Sequence, residues 1–162
     1  VFDEAMAKPQ DYAADQLLFI NSVGVTLTVF KRPQTVRING WNGFLAHETL
    51  EIHAGEPVFK RAAEILEMMG WKPLQVPDEP GFVSPRVIAM IINEAYFGLQ
   101  DKISTKKDID TAMKLGTNYP KGPFEWAALI GKEKIYHLLL KLTETDIRYT
   151  PALSLEKETV LP

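Results

Sequence analysis

Cysteine does not occur in this sequence of 162 residues, which excludes disulfide frames, thiolate metal sites and cysteine nucleophiles. The reducing cytoplasm is the compartment expected for such a chain. An excess of charge of one sign is also lacking. Eighteen Lys and Arg stand against 21 Asp and Glu, a formal net charge of −3, and that is no footprint for nucleic acid. No apolar run reaches the roughly 18 residues a membrane span needs. Val1-Phe2-Asp3-Glu4 does not show the basic-then-apolar layout of a signal peptide. The short signatures of nucleotide, zinc and serine-hydrolase chemistry are missing too: no Gly-x-Gly-x-x-Gly, no phosphate loop, no His-Glu-x-x-His, no Gly-x-Ser-x-Gly. No internal repeat is visible. What is there, 46% hydrophobic and 24% charged residues, is the balance of a globular chain.

The first third reads as strands joined by loops. Gln16 to Ile20 is a short apolar run of the kind a buried parallel strand shows, and Asn21-Ser22 follows as a turn. Thr35 to Asn39 alternates by residue and is rich in β-branched side chains, so it predicts a second strand, half-buried. Leu50 to His53 predicts a third. Glu56-Pro57 opens a helix with Pro at its first position, and Val58, Ala62, Ile65, Leu66 and Met69 recur at helical spacing up to Gly70. Trp71 to Val76 returns as a strand. This strand–helix–strand order favours an α/β layer with parallel pairing. Pro77 to Gly81, with two prolines and a glycine, interrupts both periodicities and marks the best boundary, dividing the chain into 1–77 and 78–162.

Beyond that boundary the pattern is helical. Ser84-Pro85 predicts an N-cap and first-turn pair, and Val87 to Leu99 is apolar nearly all round, so it needs cover on more than one side. In a chain this small, a second copy can supply that cover. Thr105 to Asp108 resembles a capping box opening a helix through Leu115. Pro123 to Ile130 and Lys132 to Thr143 predict two more helices, separated by Gly131. The tail from Thr145 to Pro162 is polar and Pro-bounded and is expected to be only partly ordered.

Chemistry is harder to place. His47, His53 and His137 lack metal-ligand spacing, and His137 on an amphipathic helix reads as structural. His47 and His53 flank Glu51, and a carboxylate beside an imidazole can orient it for proton transfer. The plainer reading is two surface histidines beside a strand. Trp41, Trp71 and Trp126 read as core or interface fillers rather than cofactor stackers. Residue chemistry alone leaves function open.

The second half nevertheless carries a recognisable series. Asp78-Glu-Pro-Gly-Phe-Val-Ser-Pro-Arg86, Asn93-Glu-Ala95, Asp108-Ile-Asp-x-Ala-Met-Lys-Leu-Gly116, Tyr119-Pro-Lys-Gly-Pro-Phe-Glu125 and Leu129-Ile-Gly131 resemble the C-terminal domain of 3-hydroxyacyl-CoA dehydrogenases, in order and nearly in spacing, over about 55 residues. More weakly, Leu18 to Ser22, Arg37 to Asn42 and Leu50 to Ile52 resemble the closing strands of that family's NAD-binding domain. The fold this implies is α/β followed by all-α: a partial Rossmann-like layer, then a helical dimerisation domain of the 6-phosphogluconate-dehydrogenase type.

The activity implied is NAD-dependent oxidation of a 3-hydroxyacyl-CoA to the 3-ketoacyl-CoA in fatty-acid or butanoate metabolism. The partners implied are an acyl-CoA and a second copy of the chain. By the resemblance the family's catalytic Glu falls on Glu51, and its His falls on Asn42, followed by a shortened Gly43-Phe-Leu-Ala46. The substrate or cofactor turn falls on Asn21 and Ser22, the family's Ser on Val23 or Gly24, and its Asn on Pro85. An amide cannot act as a base near neutral pH, so His47 is the candidate replacement. The alternative is a catalytically impaired family member kept as a CoA-binding or dimerisation module. The family's glycine-rich turn is not in this chain. Val1-Phe-Asp3 resembles the end of a mid-sheet strand, so a missing N-terminal part is expected.

Overall fold

The structure, a computed structural model, describes residues 2–3, 12–13 and 15–160. Val1, where the expected missing part would join, and the last two residues of the tail lie outside the described residues. Two compact units are present, Val1–Pro85 and Arg86–Pro162.

The first unit is built on five strands: β1 Phe2–Asp3, β2 Leu18–Asn21, β3 Thr35–Ile38, β4 Thr49–His53 and β5 Lys72–Gln75, hydrogen-bonded in that order. β1, β2 and β3 run parallel, and so do β4 and β5. β3 and β4 are antiparallel, with Arg37 opposite His53 and Ile38 opposite Ile52, so the expectation of parallel pairing holds on both sides of this join and fails at it. The segment between β3 and β4 contains no helix to carry the chain back, and without a crossover two neighbouring strands can pair only antiparallel. Helix α1, Val58–Met68, is the crossover that makes β4 and β5 parallel. It starts one residue later than expected, after Pro57. Its buried residues Val58, Ala62 and Leu66 are spaced by four and pack on Val36, Ile38, Leu50 and Ile52. Each large apolar side chain so buried contributes about 1.5–3 kcal/mol.

β3 departs from its pattern. The alternation of Thr35 to Asn39 predicts one solvated face, yet all four residues of β3 are buried. The reason is Arg37, 0% exposed: its guanidinium donates to the carbonyls of Ser22 (2.9 Å), Val23 (3.1 Å) and Glu79 (3.3 Å), pairs with Asp78 and stacks on the Phe82 ring. A buried guanidinium is tolerable only when its donors are met in this way. Asp78 also accepts from the Leu27 amide, and the Gly81 amide donates to Val23. The Pro77–Gly81 stretch is therefore fastened to the sheet unit by side-chain and backbone bonds.

The second unit holds most of α2, Ser84–Gln100, with α3 Lys106–Thr117, α4 Pro123–Ile130, α5 Lys132–Thr143 and α6 Leu153–Val160. The signature motifs have local work here. Thr105 accepts from the Asp108 amide at the start of α3. Asp110 accepts from the Phe124 amide at 2.8 Å and so caps α4. Gly122 is required beside it, since a Cβ there would lie 2.3 Å from the Asp110 carboxyl carbon. The tail carries more structure than expected over residues 145–160, including α6. Asn93 clasps it at Thr150 and Ala152 (2.9 and 2.8 Å), and Tyr149, Ala152 and Leu155 are buried. Its polar composition hid three apolar anchors that α2 and α5 can cover.

A buried carboxylate at a cleft in the sheet unit

Glu51 comes from the centre of β4, the strand of alternating Leu50, Glu51 and Ile52, and is 7% exposed. Its Oε1 accepts from both the backbone amide and the hydroxyl of Ser84, each at 2.9 Å, and its Oε2 accepts from the Asn39 side-chain amide at 3.3 Å. Ser84 is the first residue of α2 and gives its hydroxyl hydrogen to Glu51, where the sequence predicted a helix cap. Asn39 lies just past β3, bonded through its own amide to the Glu51 carbonyl at 2.9 Å. Glu51, Asn39, Ser84, His47, Phe44 and Leu74 border a cleft of about 380 Å³. Each buried oxygen of a carboxylate left without a donor would cost about 1–3 kcal/mol, so these contacts secure the charge.

The other expected site residues separate. His47 borders the same cleft and is exposed, with its ring edge-on to Phe44, but it shares no hydrogen bond with Glu51. His53 faces elsewhere: its Nδ1 lies 2.6 Å from the Val76 carbonyl, which only a donor can satisfy, so in the neutral ring Nδ1 carries the hydrogen. Asn42, at the position of the expected His, is exposed and does not line the cleft. Asn21 is engaged by Gly40, accepting from its amide (2.9 Å) and donating to its carbonyl (3.1 Å). Ser22 is fully buried and donates to the Val25 carbonyl at 2.8 Å. Pro85 is buried at the start of α2. Sequence reasoning missed Asn39 and the role of Ser84. The available signal was the polar series Thr35, Arg37 and Asn39 on one side of a strand, which alternation alone assigns to solvent.

A dinucleotide needs backbone amides at a helix N-terminus for its pyrophosphate. Among the described residues the one α-helix lying wholly within the sheet unit is α1, and it is led in by the carboxylate of Glu56 and by Pro57, which has no N–H. These residues do not fit the pyrophosphate. Among the described residues there is also no group of three metal-ligating side chains, and no helix long and apolar enough to cross a membrane.

Comparison with known proteins agrees with the helical series. Residues 81–158 match the model of the 3-hydroxyacyl-CoA dehydrogenase C-terminal domain. The 3-hydroxyadipyl-CoA dehydrogenase of Escherichia coli (strain K12) is 41% identical over 104 residues, 63% of this chain and 22% of that protein. The 3-hydroxybutyryl-CoA dehydrogenase of Clostridioides difficile is 31% identical over 147 residues, 84% of this chain and 52% of that protein. The crystal structure of a 3-hydroxybutyryl-CoA dehydrogenase from Escherichia coli K12 superposes with a TM-score of 0.78 at 34% identity, over 90% of this chain and 32% of that one. The fold of α/β layer followed by helices is shared. The chain spans about half the length, or less, of the curated relatives it matches.

Proposed function

We propose, since residues 81–158 match the C-terminal domain of 3-hydroxyacyl-CoA dehydrogenases, that the chain belongs to that family and that the whole protein interconverts a 3-hydroxyacyl-CoA and its 3-ketoacyl-CoA in the cytoplasm, with NAD, in fatty-acid or butanoate metabolism. Residues 1–77 are then the closing part of the NAD-binding domain and 78–162 the helical domain. The observation that carries this reading is Glu51, a buried carboxylate bordering a cleft, which the resemblance sets at the family's catalytic position, in a chain whose residues 81–158 match the family's C-terminal domain. Oxidation removes the hydroxyl proton and the C3 hydrogen with its electron pair, and NAD, when bound to the whole protein, would supply the acceptor for the latter. By the resemblance Asn21 and Ser22 would lie at the substrate or cofactor turn. The proton is this chain's concern: the imidazole of His47 at the same cleft can accept it, and the Asn42 amide cannot.

Following NADH oxidation by the whole protein with acetoacetyl-CoA tests this. Turnover is expected, falling at least about 100-fold in His47→Ala and in Glu51→Gln, as for loss of a general base or its partner. An unchanged rate in His47→Ala removes His47 from the reaction.

A second reading, a catalytically impaired CoA-binding or dimerisation module, is favoured by one observation. Glu51 already has donors on both oxygens and none of them is an imidazole. CoA binding without turnover is its expected result. The homodimer through α2 belongs to both readings. It is supported by an apolar groove of about 300 Å³ lined by Ile91, Ala95, Ile103, Ile109 and Met113, with Ile103 76% exposed. Sedimentation showing a monomer at micromolar concentration would remove it.

A further inference from the structure

We infer that Arg37 and Phe82 are positioning residues: together they fix the turn before α2 that delivers the amide and hydroxyl of Ser84 to the Glu51 carboxylate. The inference rests on the dehydrogenase reading above and says what keeps that reading's carboxylate in place. Phe82 is the outlier of this turn. Its φ of 45° lies in the left-handed region, which a bulky side chain adopts only at a steric cost, and it follows Gly81 at φ 85°. Two left-handed residues in succession turn the chain out of residues 77–80 and into α2, and Ser84 comes two residues later.

So costly a conformation persists only where its surroundings hold it. Phe82 is 3% exposed, and the central carbon of the Arg37 guanidinium lies 4.3 Å from the centre of its ring. The guanidinium is engaged on both sides of the turn. On one side it donates to the carbonyls of Ser22 and Val23, and on the other to Asp78 and the Glu79 carbonyl. Backbone bonds close the same frame: the Gly81 amide donates to the Val23 carbonyl at 2.7 Å, and the Phe82 amide to the Glu79 carbonyl at 3.3 Å. Ser84 leaves this frame with its amide nitrogen and its hydroxyl oxygen each 2.9 Å from Glu51 Oε1. The carboxylate is thus held by its own strand at one end and by the Arg37–Phe82 turn at the other. Its place matters to the reaction because Glu51 and His47 border one cleft, and the charge an imidazole gains with a proton is stabilised by a carboxylate according to their separation.

Amide hydrogen exchange in the whole protein, followed by NMR, tests the hold without requiring turnover. Phe82→Leu keeps an apolar side chain but loses the ring face, and Arg37→Lys keeps the charge but loses the planar fork. In each, the Ser84 amide is expected to exchange about tenfold faster relative to the Val76 amide, which donates to the Ile52 carbonyl in the same sheet. A purely structural loss speeds both amides alike and leaves their ratio unmoved. With acetoacetyl-CoA and NADH, Phe82→Leu is expected to lower kcat about tenfold while KM stays within about twofold. Should Arg37→Lys not fold, Phe82→Leu decides. An unmoved exchange ratio, or a moved ratio with kcat unaltered, overturns the inference and leaves the dehydrogenase reading standing. A moved ratio in a protein without any turnover overturns the dehydrogenase reading and keeps the hold on Glu51. An unmoved ratio without turnover overturns both.

Discussion

The two units bury polar groups by different means. In the sheet unit Ser22, Thr35, Arg37, Asn39 and Glu51 are all buried, whereas the helical unit buries only Asn93 and Asp110 among the described residues. The sheet unit's bonds also reach far along the chain: Arg37 to Asp78 spans 41 residues and Glu51 to Ser84 spans 33. The helical unit relies on an apolar core of Ile92, Ile135, Leu138, Leu139 and Leu155, and on caps such as Thr105 with Asp108, three residues apart. Its long-range polar bonds gather on the tail, Asn93 reaching 59 residues to Ala152 and Tyr96 and Lys106 reaching 62 and 52 residues to Glu158. One unit is held by long-range polar contacts and carries the candidate site. The other is held by apolar packing with local punctuation and carries the family signature.

The contrast can be broken most severely at Arg37. Arg37→Met should destabilise the sheet unit by about 3–5 kcal/mol, because it breaks the ion pair with Asp78 and takes a donor from the carbonyls of Ser22, Val23 and Glu79. Urea unfolding followed by the fluorescence of Trp41 and Trp71 measures it, and a loss under about 1 kcal/mol would deny the polar hub its role. In the helical unit Leu139→Ala, at a fully buried position, should lose about 3 kcal/mol by cavity formation, read as a lower unfolding midpoint. Gly122→Ala comes next, at about 1–3 kcal/mol, because its new Cβ meets Asp110 at 2.3 Å. An Asp110→Gly background removes both the carboxyl and the residue 110 Cβ, which lies 2.4 Å from the new one, so the double variant should fall short of the sum of the two single losses.

The smallest effect is one of pH. Burial works to raise the Glu158 carboxyl, but the hydrogen bond and charge of Lys106, followed by the bonds from Tyr96 and Lys132, hold it below the ordinary glutamate value. A lowered folded value means stability that is fully present above the ordinary glutamate value and is lost as pH falls through the folded one. With Glu158 about one-third exposed, the contribution is under about 1 kcal/mol after solvent screening. Acid titration of Glu158→Gln against the unaltered chain should show the difference vanish at low pH. The same carboxylate, together with burial, pushes the Tyr96 hydroxyl up, so Tyr96 stays protonated throughout this range.

Much of the helical unit was legible because its cues are local. Thr105 with Asp108, Pro123 after Gly122 and the positive φ of Gly131 each act within a turn of the helix they start or stop. Its tail was misread for the opposite reason. Tyr149, Ala152 and Leu155 are spaced by three but fall in a short turn, a loop and α6, so no single element's pattern joins them, and the helices they pack on supply the surface that buries them. In the sheet unit the strands were legible but their pairing was not, since pairing depends on whether a helix intervenes and on which neighbour lies beside each strand. Of the candidate site, Glu51 was placed by its strand and by the family resemblance, and the structure brings His47 to the same cleft. Asn21 and Ser22 are instead occupied by Gly40 and Val25.

By itself the sequence determined composition, element order and family, because absent cysteines, hydrophobic periods and helix punctuation are properties of neighbouring residues. Missing cysteine, a net charge of −3 and the lack of a long apolar run already confined the chemistry to side chains such as Glu, His, Asn and Ser. Only the tertiary structure decided that Arg37 is buried, that the tail packs, and that Glu51 is held by Asn39 and Ser84. Those outcomes depend on which distant donors the fold delivers to a desolvated charge, and hydrogen bonds across 12 to 41 residues leave no period in a sequence.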